Sequence, residues 1–467
     1  MADRPNILFL MDDEHRPDAL GYAGDDVVRT PTIDHLAATG SVFENAYTPS
    51  PVCVPGRQSM MAGQLPKTCG CEGWVDLEPG YNTFARHFAE HGYMTACAGK
   101  LHHQGWDQMQ GWRKRLGPVP MKRPTHHKYL DKKDQAAFDR WEKDYDIGSP
   151  WTWPVTKEIK RAGVGRSRVN ADDERAVGAA EEYIKQYFSS PYYDRQRRDE
   201  RPLLLKISTI QPHYPYFTTE ERFTYYLNRV DPFLEEAADH PALSRHHVEP
   251  GADVSERELR RATAAYYGMI ETADDYYGRI LDALEHHGED LDDWIIVFTS
   301  DHGEMLGQHG VWGKQVFYEA SARVPLVIRW PERFDPRTVT ENVNLCDLYA
   351  TLGDLAGLPV PEGLDSRSMA PLLAGDTADW HAGPYPNETV SQFEGRDLMI
   401  KRDDLKYQYY GPDAPEVLFD LERDPDETEN LIDDPEYADT LDEFRHRRAE
   451  LGFGPDATGD YVTAGYD

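Results

Sequence analysis

Asn6-Ile7-Leu8-Phe9-Leu10-Met11 is an apolar run of strand length that stops on two carboxylates, Asp12-Asp13. A short apolar run bounded by polar residues reads as a strand buried on both faces. Three further runs have the same form. Tyr93 to Ala98 stops at Gly99-Lys100-Leu101-His102, and Leu203-Leu204-Leu205-Lys206-Ile207-Ser208 leads to Gln211-Pro212-His213. Trp294-Ile295-Ile296-Val297-Phe298 leads to Ser300-Asp301-His302-Gly303. Helical patterns lie between them. Phe84 and Phe88 are four apart in the stretch from Thr83 to His91, closed by Gly92. Tyr267, Ile270, Ile280, Leu281 and Leu284 mark the apolar face of a longer stretch from Glu256 to His287. Strands alternating with helices imply a mainly parallel sheet covered on both sides, with ligands outside the carboxyl ends of the strands. All four polar clusters fall at such ends.

The expected architecture is therefore α/β. A large mixed, mainly parallel sheet sandwiched by helices is expected over residues 1–375, and a small C-terminal α+β domain with an antiparallel sheet over residues 376–467. Gly375 to Pro386 has the character of a linker. Beyond it come the alternating segments Leu398-Met399-Ile400-Lys401 and Leu405-Lys406-Tyr407-Gln408-Tyr409, then a terminal helix near Asp439 to Leu451. From Gln104 to Arg201 the periodicity weakens and aromatic residues gather, among them Trp106, Trp112, Trp151 and Trp153. This stretch reads as insertions over the site.

Composition narrows the function classes. The 83 Asp and Glu against 50 Lys and Arg give a formal charge of −33, spread along the chain, which excludes the basic footprint a nucleic-acid backbone requires. Only 15 of those cations are Lys, and a lysine-poor acidic surface suits a protein kept soluble in concentrated salt. The cysteines, Cys53, Cys69, Cys71, Cys97 and Cys346, are too few and odd in number for a disulfide framework. No run is long enough to span a membrane and no secretory signal opens the sequence, so the expected home is a salt-adapted cytoplasm.

Asp12-Asp13 alone would most often be a turn or cap, but Asp301-His302 supplies further candidate ligands from a second strand end. Cys53 stands in Ser50-Pro51-Val52-Cys53-Val54-Pro55-Gly56-Arg57-Gln58-Ser59, ahead of a helix predicted to start near Pro55. A cysteine at a helix N-terminus, with an arginine four residues on, faces a ready-made anion site. From the residues alone this is an anion-binding nucleophile, with or without metal. Cys69-Gly70-Cys71 lacks further partners and reads as structural, and the pairs His126-His127 and His286-His287 read as solvated.

The order Cys53-x-Pro55-x-Arg57 resembles the sulfatase signature in which the cysteine is oxidised to formylglycine. Asp12-Asp13, Gly99-Lys100-Leu101-His102, Pro212-His213 and Asp301-His302-Gly303 each resemble a sulfatase motif, in the family's order. So does the tail Leu418-Phe419-Asp420-Leu421, Asp424-Pro425, Glu429-Asn430-Leu431. The resemblance implies an alkaline-phosphatase-like fold and one divalent metal, calcium by default with magnesium or manganese as alternatives. Asp12, Asp13, the residue at Cys53, Asp301 and His302 would hold it; His302 stands where many members have Asn. Arg57 would hold the hydrated formylglycine, while Lys100 and Lys314 would bind sulfate oxygens. His213 would protonate the departing alcohol, and His102 would take the proton that lets the aldehyde reform.

Local similarity to choline sulfatases runs through Ala62-Gly63-Gln64-Leu65-Pro66, Gly105-Trp106-Asp107-Gln108-Met109 and Met305-Leu306-Gly307 with Trp312-Gly313-Lys314. The expected substrate is a small-molecule or saccharide sulfate ester, with choline sulfate, a sulfated sugar and an aryl sulfate all open. A formylglycine-generating enzyme is the expected maturation partner, and the sequence leaves oligomer formation open. The rival reading is a phosphonate monoester or phosphodiester hydrolase, whose single-Asp first metal motif matches Asp12-Asp13 less well.

Overall fold

The computed structural model describes residues 4–103, 105–117, 155–188, 201–234, 243 and 247–454. Trp151, Trp153 and the His126-His127 pair lie outside these residues. Eight strands form the large sheet: β1 Ile7–Asp13, β2 Ser41–Phe43, β3 Met94–Gly99, β4 Lys114–Leu116, β5 Leu203–Pro212, β6 Ile295–Ser300, β7 Leu326–Arg329 and β8 Arg337–Val339. Their spatial order is β8-β2-β7-β6-β1-β5-β3-β4. Neighbours are parallel except around β7, which runs antiparallel to β2 and β6. The expected mixed, mainly parallel sheet is present.

Every residue of β1, β3 and β6 is buried, as the unbroken apolar runs required. Alternation along β1 sorts its side chains between two cores. Ile7, Phe9 and Met11 pack towards the helices α2 Cys53–Ala62, α3 Phe84–Glu90 and α6 Asp347–Leu355. Leu8 and Leu10 pack towards α1 Pro31–Thr39, α4 Arg168–Phe188 and α5 Glu256–His286. Each such fully buried Leu, Ile or Phe contributes on the order of 1.5–3 kcal/mol of transfer free energy. The caps follow rule. Thr83 accepts from Arg86 N at the start of α3, and Ser255 with Glu258 forms a capping box on α5.

Two expectations need correction. The stretch from Gln104 to Arg201 is not only insertion, because α4 is a 21-residue helix in the covering layer. Its buried face is built from small residues in the middle, Ala176, Val177 and Ala180, and from Tyr183, Ile184, Tyr187 and Phe188 towards its end, among many acids that dilute the helical signal. The helix carrying Cys53 starts at Cys53 itself rather than near Pro55, with Val52 extended at the N-cap and all ten residues buried.

The small domain is the antiparallel sheet β9 Glu388–Phe393, β10 Asp397–Arg402, β11 Leu405–Tyr410 and β12 Val417–Asp420, paired in chain order, with α7 Ala438–Glu450. One side of it packs on α7, where Tyr407 stacks on Phe444 at 5.7 Å. From the same small domain Phe393, Met399 and Tyr410 meet Tyr47, Val52 and Phe317, beside the turn that leads into Cys53. Among the described residues no helix is long and apolar enough to cross a membrane.

Candidate active site

The strands β6, β1, β5 and β3 are consecutive neighbours and all parallel, so their carboxyl ends lie side by side. Those ends deliver Asp301-His302, Asp13-Glu14, His213 and Lys100 to one place, and the N-terminus of α2 brings Cys53 to them. Gly99 makes the turn from β3 possible. Its φ is +85°, and a Cβ there would lie 1.9 Å from the carbonyl oxygen of Ser208.

Arg57 organises the cluster from beneath. Its Nε donates to Asp301 Oδ2 at 2.6 Å and its Nη2 to Asp13 Oδ2 at 2.8 Å. Nη1 donates to the carbonyl oxygen of Lys100 and to Ser208 Oγ, both at 2.9 Å, and Nη2 also reaches the carbonyl oxygen of Asp12 at 3.1 Å. One buried guanidinium therefore ties all four parallel strands together near their carboxyl ends. Lys100 Nζ lies 2.5 Å from Asp13 Oδ2 and 3.7 Å from Cys53 Sγ. Burial alone would raise the Asp13 carboxyl, but Lys100, His213 and Arg57 hold it well below the usual range.

Cys53 Sγ sits 3.2 Å from His302 Nε2 and 3.8 Å from Asp13 Oδ1. His302 Nδ1 lies 2.9 Å from the carbonyl oxygen of Gly303, to which it must donate, leaving Nε2 as the electron-pair donor facing the sulfur. Burial, and next Asp13, push the Cys53 thiol up to about 12. Asp13, Cys53, Asp301 and His302 each offer one ligand atom, all within 4.8 Å of one another. Two carboxylates and an imidazole fixed by second contacts make a donor set that fits a divalent cation.

Asp12 is not among those four. The register with β5 shifts between Met11 and Asp13, and the Asp12 carboxyl lies beside Ser300 and Asp301. There His15 Nδ1 meets its Oδ2 at 2.6 Å, while Oδ1 is buried without a hydrogen-bond partner. His102 has a left-handed backbone, φ 57°, and presents its ring edge-on to Trp74 at 6.1 Å. Lys314 and His213 do meet, through a residue that the sequence reading passed over. Glu14 Oε2 accepts from Lys314 Nζ at 2.7 Å and lies 3.1 Å from His213 Nε2. His213 Nδ1 donates to the carbonyl oxygen of Tyr214 at 2.7 Å, so the Nε2 contact with Glu14 requires one shared proton. The one signal for Glu14 was its place directly after the Asp-Asp pair at a strand end.

Residues 5–358 match the family description Sulfatase, and residues 307–452 match N-sulphoglucosamine sulphohydrolase, C-terminal. The chain is 33% identical to a choline-sulfatase of Rhizobium meliloti (strain 1021) over 473 residues, 96% of this chain and 86% of that protein. It is 30% identical to an arylsulfatase of Clostridium perfringens (strain 13 / Type A) over 467 residues, 95% and 93% of the two chains. Among solved structures, the phosphonate monoester hydrolase of Agrobacterium radiobacter superposes with a TM-score of 0.74 at 23% identity, covering 96% of this chain and 95% of that one. BT4656, solved in complex with its substrate D-glucosamine-2-N,6-O-disulfate, gives 0.74 at 20% identity over 96% and 97%. These likenesses at low identity speak for the alkaline-phosphatase-like fold. The family follows from the matched residues and the relatives at 30% identity or more: the chain belongs to the sulfatases and is a sulfuric ester hydrolase.

Proposed function

We propose that the protein hydrolyses sulfate esters through a formylglycine formed from Cys53 beside one divalent cation, calcium by preference and magnesium or manganese as alternatives. The carrying observation is the convergence of Asp13, Cys53, Asp301 and His302 within 4.8 Å, from two adjacent strand ends and the N-terminus of α2. When present, the hydrated aldehyde supplies a nucleophilic hydroxyl and the cation lowers its pKa. Asp12, Asp13, Asp301 and His302 hold the cation with residue 53, the buried Oδ1 of Asp12 having no hydrogen-bond partner of its own. Arg57 fixes the carboxylates of Asp13 and Asp301 and so the position of the metal. Lys100 and Lys314 carry the positive charge that binds sulfate oxygens and persists through the transition state. His213 delivers a proton to the departing alcohol, and His102 serves as the base for turnover.

The maturation partner is a formylglycine-generating enzyme. The substrate is a small-molecule or saccharide sulfate ester, in keeping with relatives named arylsulfatase and choline-sulfatase. The five cysteines are all free and buried, which accords with a reducing cytoplasm, and the acidic surface accords with concentrated salt.

A phosphonate monoester or phosphodiester is the second reading. It is favoured by the likeness in fold to the phosphonate monoester hydrolase of Agrobacterium radiobacter. Rates on matched 4-nitrophenyl esters decide between them. A kcat/KM for the sulfate above those for the phenylphosphonate and the phosphodiester supports the first reading, and the reverse order selects the second.

A further inference from the structure

Lys314 and His213 come from distant parts of the chain. Lys314 follows a loop that runs Gly307, Gln308, His309, Gly310 with left-handed backbone at Gly307, His309 and Gly310. His213 stands just beyond β5. His213 is tied to its own loop through the carbonyl oxygen of Tyr214, and the carboxylate that touches both heads is Glu14. The Glu14 carboxylate is fully buried, 2.7 Å from the ammonium and 3.1 Å from the imidazole. It reaches them from a backbone that side chains rarely adopt, φ 65°, and its N–H is anchored to Asp301 Oδ1 at 3.2 Å. Tyr214 closes the group, with its ring 4.2 Å from that of His213 and 5.4 Å from Lys314 Nζ.

A carboxylate lining a pocket for an anionic ester would repel its ligand unless fully matched by cations. Here Lys314 answers it, and one proton is shared with His213. Its use lies in placing them: it joins the lysine head to the Nε2 side of a ring whose Nδ1 is already tied to the Tyr214 carbonyl oxygen. Resting on the sulfatase reading above, we infer that Glu14 is a positioning residue that holds His213 and Lys314 together on the leaving-group side of the site. The step served is cleavage of the bond between sulfur and the ester oxygen, in which the electron pair stays on that oxygen and His213 returns a proton to it.

A positioning role on the leaving-group side has a signature that general destabilisation lacks. The matured enzyme and its E14A and E14Q variants are assayed on aryl sulfates of graded leaving-group acidity and on an alkyl sulfate. Proton delivery matters little for a nitrophenolate and is worth roughly 10²–10⁴-fold for a poor leaving group. E14A is expected to lose about 10²-fold in kcat on the alkyl sulfate and only a few-fold on 4-nitrophenyl sulfate, with metal content unchanged. E14Q, which keeps an acceptor for Lys314, is expected to recover part of the loss. An equal loss on every ester, or none, overturns the inference. If the unaltered enzyme turns over no sulfate ester, the sulfatase reading fails by itself, and a crystal structure of E14A then decides the positioning role. Displacement of both heads by more than about 0.5 Å supports it, and unmoved side chains overturn it.

Discussion

Two buried ion clusters lie in this molecule, and they are built to opposite ends. In the interface between the two domains Lys406 Nζ meets Glu319 Oε1 and Glu427 Oε1, both at 2.8 Å, while Glu427 Oε2 accepts from Glu319 N at 2.6 Å and Tyr47 OH donates to Glu319 at 3.0 Å. Charges answer one another and the network closes on itself. At the strand ends, Arg57, Lys100 and Lys314 also face three carboxylates, yet four ligand atoms still converge within 4.8 Å and His302 Nε2 points its electron pair into the same space. The closed network gives a fixed dock for the small domain. The convergent one keeps binding capacity in hand. Burial and charge count alone do not separate the two; the direction in which donor atoms point does.

The sharpest way to break the comparison is to remove one converging ligand. D13N is expected to lose its bound divalent cation and at least about 10³-fold in kcat/KM, since a metal supplies several kcal/mol of charge stabilisation. D12N is expected to lose metal too, but less, since one oxygen of Asp12 already serves His15. Elemental analysis of the two purified proteins checks this, and full retention of metal in D12N would take Asp12 out of the ligand set. Breaking the closed network should act on stability instead. K406M leaves Glu427 buried without its cation and Glu319 with Arg323 alone, and is expected to cost about 3–5 kcal/mol in denaturant unfolding, with kcat of the folded fraction unchanged.

The smallest effect is a pH slope. Burial first, against Lys406 and with Glu319 next, raises Glu427 from 4.5 to about 7. A carboxyl that keeps its proton only in the fold contributes most below its unfolded value. That contribution falls as pH rises from about 4.5 towards 7 and is gone above it. Melting temperatures of the unaltered protein should therefore carry a downward component over this window, and E427Q should show a flatter profile. An identical slope in both would remove Glu427 from the account.

The strand ends were legible because unbroken apolar runs have few alternatives, and their polar successors inherit the position. Cys53, Arg57, Lys100, Asp301 and His302 followed from that together with the family resemblance. What stayed hidden was finer. The contact of Asp12 with His15 at 2.6 Å could not be read from the pair Asp12-Asp13. Glu14 was lost among 83 acids, because its inward turn depends on a left-handed backbone and on partners two hundred and three hundred residues away. The helix Arg168–Phe188 was hidden by alanines that serve for close packing against the sheet.

The central claim concerns what stands at position 53, and peptide mass spectrometry across Cys53 tests it most directly, on protein made in a host with the maturation enzyme. Conversion of the thiol to the aldehyde lowers the peptide mass by about 18 Da. The account expects that shift, with esterase activity tracking the fraction converted. Fully active protein with an intact Cys53 thiol would contradict it.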